Sequence, residues 1–164
     1  MGAAIRNAGE DTMRKILRAS ALAAVALLCG AAIAMAQQFG TATEAKSMLE
    51  KAAAALKANE AAAIAKFNDK AGGFRDRDLY VFCYNASDGK FTAHPNPALI
   101  NTAIRALKDP SGAPLGQNIF DTVKEGTILT VDYKFPKPGT AEPLPKQSFV
   151  TKVGGQGCGV GYYK

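Results

Sequence analysis

The sequence of 164 residues contains one histidine and three cysteines, so it is poor in the side chains that bind metal ions. Structural zinc sites use four histidine or cysteine ligands, and no second histidine or cysteine stands near the single His94. The stretch from Asp109 to Gly112 lacks the further oxygen ligands that a calcium loop needs at alternate positions, so we predict a turn there. The composition therefore predicts neither a metal site nor another cofactor.

Dense positive charge is also missing. Lysine and arginine exceed aspartate and glutamate by six, but they are scattered along the chain and are not interleaved with clusters of aromatic residues. Proteins that bind nucleic acid concentrate their basic residues on one face or stripe. We therefore predict that the protein does not bind nucleic acid, and that its modest positive excess favours anionic small molecules.

Long hydrophobic runs are limited to residues 19–34. Three basic residues precede this run and Ala34-Met35-Ala36 ends it, as in a secretory signal peptide with an A-x-A cleavage site. An uncleaved membrane anchor is the alternative, although the run is short for a span of about 20 residues. We predict cleavage after Ala36, which removes residues 1–36 and leaves residues 37–164 as one periplasmic or secreted domain without a membrane span.

The clearest pattern in the exported part is a β-hairpin. Residues 79–84, Leu-Tyr-Val-Phe-Cys-Tyr, are typical of a strand, and Asp88-Gly89 follows as the pair that a type I′ turn favours. A two-residue turn places Cys83 opposite His94. Pro95 cannot donate a backbone hydrogen bond, so the second strand should end at His94, at a margin that a small molecule can reach. In this register the aromatic side chains of the first strand lie on the face opposite His94.

Helices and strands segregate along the rest of the chain. A capping box at Thr41-Ala42-Thr43-Glu44 predicts a long helix to about Asn68, and weaker patterns predict two short helices, over residues 97–108 and near residues 119–126. Strands are predicted over three further segments: 127–135, 146–153 and 157–163. The last segment alternates larger residues with glycines that indicate close approach of another group: Gly157, Gly159 and Gly161. This order predicts an α+β fold with an antiparallel sheet.

Two cysteines, Cys83 and Cys158, remain after the predicted cleavage. Export to an oxidising compartment favours a disulfide between them. The residues alone leave two alternatives open: the cysteines could be buried apart, or Cys83 could face His94 as a thiolate and imidazole pair. A disulfide would consume that thiol, and no third orienting residue is evident. We therefore predict that the protein is not an enzyme.

Several short motifs occur in a consistent order: Tyr80-Val81-Phe82, Ser87-Asp88-Gly89-Lys90, Ala93-His94-Pro95, Leu107-Lys108-Asp109 with Gly112, Tyr133, Pro145-Lys146 with Ser148-Phe149-Val150, and Gly159-Val160-Gly161-Tyr162-Tyr163. No single motif is specific, but their order and spacing together resemble a single Cache domain of the second type. Such domains are extracellular small-molecule sensors of bacterial chemoreceptors and histidine kinases, with a fold related to PAS and profilin-like domains. The resemblance covers essentially the whole exported chain.

The resemblance implies a five-stranded antiparallel sheet in the order 2-1-5-4-3. The long N-terminal helix would pack on one face, and a ligand would lie between the other face and the two short helices. The first and last strands would then be neighbours. The resemblance thereby places Cys83 and Cys158 on adjacent strands and supports the disulfide.

The resemblance also implies a ligand, because pockets of this family commonly bind short organic acids. Carried over to this chain, it assigns His94 and Lys146 to a carboxylate, gives Tyr133 a hydroxyl contact, and makes Tyr80 and Phe82 apolar walls. A cation with neutral donors satisfies a carboxylate, and aromatic walls exclude water. The predicted hairpin register conflicts with this set, because it puts His94 on the other face unless a bulge or a twist at the proline intervenes.

We therefore predict an exported, non-enzymatic Cache domain that reversibly binds a small organic acid and senses or presents it in signal transduction. Because the sequence ends directly after the last predicted strand, we expect a free-standing domain whose partner is a membrane receptor or histidine kinase. A ligand-free interaction protein that docks on such a receptor is the alternative, and a Cys-His enzyme is less favoured.

Overall fold

The computed structural model describes residues 39–137 and 139–164. The predicted signal peptide, residues 1–36, lies outside these residues. The described chain runs in the order α1 (Ala42–Ala58), α2 (Glu60–Asn68), β1 (Arg75–Asp76), β2 (Leu79–Asn85), β3 (Phe91–Ala93), two 3₁₀ turns (Pro97–Leu99 and Ile104–Ala106), α3 (Leu115–Thr122), β4 (Leu129–Pro136), β5 (Pro143–Val153) and β6 (Gln156–Tyr163). Across these ranges, no helix is long and apolar enough to cross a membrane.

Five strands form an antiparallel sheet in the order β3-β2-β6-β5-β4, and the two-residue β1 pairs with the beginning of β2. Counted without β1, this is the order 2-1-5-4-3, so the predicted fold class is confirmed. The neighbouring strands β2 and β6 place Cys83 directly opposite Cys158. The two residues form a disulfide that is buried beneath α1 and α2.

The long N-terminal helix has the predicted extent but is interrupted. It begins with the predicted capping box, in which the Thr41 hydroxyl accepts from the Glu44 amide (3.3 Å) and Glu44 accepts from the Thr41 amide (2.8 Å). Asn59 is extended, at φ −163° and ψ 103°, and its side chain accepts from the Ala62 amide (3.0 Å). Asparagine competes for backbone hydrogen bonds in this way, so it ends α1 and caps α2.

The hairpin between β2 and β3 has a loop of four residues, 86–89, enclosed by the hydrogen-bonded pair Asn85 and Lys90, where the sequence predicted a loop of two. The Asn85 amide donates to Lys90 O, and the Gly89 amide donates to Asn85 O, both at 2.8 Å. A type I′ turn needs positive φ at both central residues. Among the described residues around this loop, only Gly89 (φ 74°) has it, and Asp88 does not. The Asn85 side chain instead accepts from the Ser87 amide (2.8 Å) and stabilises the wider loop.

The pairing of β2 with β3 also differs from the prediction. Tyr84 pairs with Phe91 and Cys83 pairs with Ala93, so Thr92 is an extra residue, a β-bulge. The predicted opposition of Cys83 and His94 is therefore wrong. Because a one-residue shift moves a side chain to the other face, the bulge sends Ala93 toward the helices and the next residue, His94, toward the opposite face.

The segment after β3 covers the sheet face opposite α1. Residues 97–108 form two 3₁₀ turns where the sequence predicted a short helix. The Phe91 amide donates to Thr102 O (2.9 Å) and the Asn101 amide donates to Phe91 O (2.9 Å), so the segment bonds to the edge strand and cannot complete helical turns. The other predicted short helix is present as α3, but it begins and ends about four residues earlier than predicted and leaves Val123 outside. It buries Leu115 and Ile119.

Candidate functional site

A cavity of about 290 Å³ lies between the sheet and this covering segment. Its wall contains all five residues that the sequence assigned to a ligand, together with a majority of aliphatic and aromatic side chains: Tyr80, Phe82, Phe91, His94, Asn96, Leu99, Ile104, Leu107, Leu115, Ile119, Tyr133, Phe135 and Lys146. The volume is close to the lower end of the range for small-molecule sites. The wall is therefore a candidate binding site built on β2, β4 and β5.

The glycines of β6 make room for the side chains of the sheet floor. A Cβ atom at Gly157 would overlap the Tyr84 ring, and one at Gly159 would overlap the Phe82 ring. At Gly161 it would lie 2.8 Å from the Tyr133 hydroxyl and 2.9 Å from Lys146 Cε. The predicted close approach of other groups to these glycines is confirmed, and the approaching groups belong to the protein itself.

Lys146 is a buried cation, with 3% of its surface exposed. Its Nζ lies 4.4 Å from the ring centroid of Tyr163 and 5.4 Å from that of Tyr80. Among the residues that the structure describes, none forms a hydrogen bond or ion pair with this ammonium group. Burial lowers the pKa of Lys146 to about 8, while the charge of Asp78 opposes that change. The side chain is therefore mainly protonated at neutral pH and lacks an anionic partner in direct contact.

His94 is placed on the cavity side by the bulge. Its ring packs edge-on against Tyr80 (5.5 Å between centroids) and Phe91 (5.4 Å), and Nδ1 accepts from the Asn96 amide (3.0 Å). Burial lowers the pKa of His94 to about 4, and the charges of Arg75 and Lys146 act in the same direction. The imidazole is therefore neutral at neutral pH. Since Nδ1 is an acceptor, the proton is on Nε2, which is a hydrogen-bond donor.

Tyr133 stands beside Lys146, because the two residues are direct partners in the β4–β5 ladder. Its hydroxyl lies 2.9 Å from Ser148 Oγ, and either oxygen can be the donor. When Ser148 donates, the tyrosine proton is free for a ligand. Burial raises the pKa of both Tyr133 and Tyr80, so each stays a neutral phenol.

Three residues near the cavity carry contacts that the sequence reasoning missed. The backbone amide of Asn96 fixes the tautomer of His94, and the Asn96 side chain caps the first 3₁₀ turn. The position of Asn96 before Pro97 was a usable signal in the sequence for the start of a helix. Ser148 is fully buried and holds Tyr133. Asp78 accepts from the Gly40 amide (2.6 Å) through Oδ1, while its buried Oδ2 receives no hydrogen bond from the described residues.

The chemistry of this set suits an anion with an apolar body. The wall supplies one cation and a few neutral polar side chains, and its other residues are hydrophobic. The alternative thiolate–imidazole pair is not formed, because Cys83 is bonded to Cys158 and belongs to the helix-side core. Within residues 39–137 and 139–164, no group of three or more histidine, cysteine, aspartate or glutamate side chains could hold a metal ion.

The sequence is similar to a bacterial chemoreceptor. It is 33% identical over 76 residues to the methyl-accepting chemotaxis protein McpP of Pseudomonas putida. The match covers 46% of this chain and 14% of that protein, so the chain corresponds to a small part of its curated relative.

Solved sensor domains have the same fold. The periplasmic sensor domain of a chemotaxis protein is 29% identical, with a TM-score of 0.54 over 72% of this chain and 86% of that one. A methyl-accepting chemotaxis protein from Vibrio parahaemolyticus, 22% identical with a TM-score of 0.58, covers 74% and 86% and supports the fold alone. A Cache chemosensory domain solved to explain carboxylic acid recognition is 25% identical, with a TM-score of 0.53 over 97% of this chain and 95% of that one.

The model of the family described as single Cache domain 2 matches residues 31–162. That range includes every described helix and every strand of the sheet apart from the last residue of β6. The sheet order and the position of the cavity on the face opposite the long helix agree with what the sequence motifs implied for this family. The chain therefore belongs to the single Cache domain 2 family, and a solved structure that it resembles is the periplasmic sensor domain of a chemotaxis protein.

Proposed function

We propose that this protein is an exported, non-enzymatic sensor domain that reversibly binds a small carboxylate in the cavity. Lys146, His94 and Tyr133 hold the carboxylate, and Tyr80 and Phe82 form apolar walls. The observation that carries the proposal is Lys146, a cation at 3% exposure that contacts aromatic rings and forms no ion pair within the described residues. Burying a charge without a partner is costly, so an anionic ligand would stabilise the site.

Two neutral donors would complete the hydrogen bonding of the bound carboxylate. His94 offers Nε2–H, because its other nitrogen accepts from Asn96, and Tyr133 offers a hydroxyl that Ser148 can orient. A carboxylate has two oxygens with about four acceptor positions, which one ammonium and two neutral donors can fill. Hydrogen bonds to an ionised acceptor are about twice as strong as neutral ones, and the aromatic walls strengthen them by excluding water.

The sensory role is proposed from the family and its relatives. Similar proteins are chemotaxis receptors and a Cache domain known for carboxylic acid recognition. We infer that this domain acts in the periplasm or outside the cell after signal-peptide cleavage, and that its occupied form is recognised by a membrane receptor or histidine kinase. The disulfide is in keeping with an oxidising compartment.

The proposal is tested by measuring thermal unfolding of the exported, processed protein with a panel of small organic acids and with their uncharged amides as controls. A ligand that binds only the folded state stabilises it by about 2.7 kcal/mol at a hundredfold excess over its dissociation constant. We expect a saturable rise in Tm for acids and none for amides. No shift with any acid would favour the interaction-protein alternative.

The site assignment is tested by Lys146→Met, which keeps the stem of the side chain and removes its charge. Losing a charge-assisted hydrogen bond should weaken acid binding by about tenfold to a hundredfold. Lys134→Met is the matched control, because Lys134 is an exposed lysine on the adjacent strand β4. Equal affinity in the wild type and Lys146→Met would show that the acid binds elsewhere.

A further inference from the structure

We propose that the ligand is a monocarboxylate with an extended apolar tail. The whole ligand would have about seven to ten non-hydrogen atoms, if each takes the ~30 Å³ that a water molecule occupies in the liquid. This inference rests on the proposed carboxylate function and adds the class of acid. The cavity of about 290 Å³ has room for about ten water molecules on that scale. Acetate has only two carbons, so it would leave most of the apolar wall without contacts.

The register of the sheet places the cation at one end of the cavity floor. Tyr133, Lys146 and Tyr163 are partners in one row across β4, β5 and β6. A second row lies four residues further along the strands and has no polar side chain. It consists of Leu129, Val150, Gly159 and Phe82. At the usual strand rise, the two rows are about 13 Å apart. Because Phe82 and Lys146 both line the cavity, its floor extends from one row to the other.

The cover above this floor is hydrophobic. It consists of Leu99, Ile104, Leu107, Leu115 and Ile119, from the two 3₁₀ turns, the residues after them and α3. Contact with this surface favours a methylene chain or ring over further polar groups. Each methylene that leaves water contributes about 0.8 kcal/mol, which corresponds to about fourfold in affinity.

A second charge on the ligand would find no partner. Lys146 is the only cationic side chain in the cavity wall among the described residues, since His94 is neutral. Two arginines lie outside this wall: Arg105 stacks on the Phe120 ring at 3.7 Å, and Arg75, whose charge acts on His94, donates to Asn68 O at 3.1 Å. The same wall contains no carboxylate that could hold the ammonium group of an amino acid. Dicarboxylates and amino acids would therefore bury an unpaired charge.

The test compares four probes with the exported, processed protein by calorimetry: acetate, hexanoate, hexanamide and adipate. Acetate and hexanoate differ only in the tail, hexanamide lacks the charge of the head, and adipate adds a charge at the end of the tail. We expect hexanoate to bind about 250-fold more tightly than acetate, at about fourfold for each of its four additional methylenes. We expect hexanamide and adipate to bind more weakly than hexanoate by at least about tenfold.

Two variants separate the head of the ligand from its tail. Leu107→Ala, at a half-buried wall position, should weaken hexanoate by about tenfold and leave acetate unchanged, whereas Lys146→Met should weaken both. If Leu107→Ala does not fold, the series of probes with the wild type decides alone. Acetate binding as tightly as hexanoate would overturn the long tail and leave the carboxylate function intact. Failure of all the acids would overturn the carboxylate function itself.

Discussion

The two faces of the sheet differ in how they are filled. The helix-side face packs α1 and α2 against β2 and β6, and it contains a buried disulfide. Apart from Phe67, the side chains of this layer are small, aliphatic or part of the disulfide: Ala45, Leu49, Ala52, Leu56, Ala63, Phe67, Val81, Cys83, Cys158 and Val160. The cavity-side face carries aromatic rings over glycines and leaves a space beneath irregular turns. The comparison shows that β2 contributes to a closed core on one side and to the wall of the cavity on the other, where we propose that the ligand binds.

The alternation of side chains along a strand makes this division possible. Val81 and Cys83 point to the helices, while Tyr80, Phe82 and Tyr84 point to the cavity-side face. Neighbouring residues therefore belong to different environments and can be changed separately. Substitutions on the helix side should alter the free energy of unfolding, and substitutions on the cavity side should alter affinity.

The largest expected effect follows from removing the disulfide with the double substitution Cys83→Ala and Cys158→Ala. The bond links residues 75 positions apart, and the chain-entropy model gives about 4 kcal/mol for a loop of that length. Urea unfolding should show that loss, while the affinity of the folded variant for its acid stays unchanged. A loss of affinity as large as the loss of stability would mean that the two faces are not independent.

The second prediction concerns Gly161→Ala on the cavity side. The new methyl group would lie 2.8 Å from the Tyr133 hydroxyl and 2.9 Å from Lys146 Cε, so both polar groups must move. Acid binding should weaken by about tenfold to a hundredfold, as expected when hydrogen bonds to a charged group are lost. Calorimetry measures this effect. Gly155→Ala, in the turn before β6 and facing only Glu60 at 3.4 Å, is the control that should bind normally.

The third prediction is a pH dependence that arises from Lys146. Its pKa is about 8 in the folded protein and near 10.5 in the unfolded chain, because burial disfavours the charge. Between these values the unfolded state binds more protons. The free energy of unfolding of the ligand-free protein should therefore rise with pH, by at most about 1.4 kcal/mol per unit. Urea titrations between pH 8 and pH 10 measure this rise.

Acid affinity should change in the opposite direction over the same range. As Lys146 loses its proton, the carboxylate loses its cationic partner, so affinity should fall by up to about tenfold per pH unit. Lys146→Met should remove both pH dependences together. Either dependence persisting in that variant would assign it to another group.

The sequence allowed a good prediction of the fold and a partial one of the site. The periodicity of the sequence located the main strands of the sheet. The alternating glycines of β6 correctly indicated that other groups of the protein approach this strand closely. The motif order implied the sheet order and the adjacent cysteines. The failures are local: Asn59 divides the first helix, the hairpin loop has four residues, and residues 97–108 form 3₁₀ turns. Each depends on a side-chain or cross-chain hydrogen bond that competes with the regular pattern.

The amino-acid sequence by itself determined which residue types were available for the site, and through its periodicity it determined on which strands they lie. Only the tertiary structure decided that His94 shares a face with Tyr80 and Phe82, because a single bulge residue, Thr92, reverses the alternation. Packing also decided how readily these groups are protonated, since burial lowers the pKa of both His94 and Lys146. Register and desolvation depend on contacts between distant segments, which the local sequence pattern does not specify.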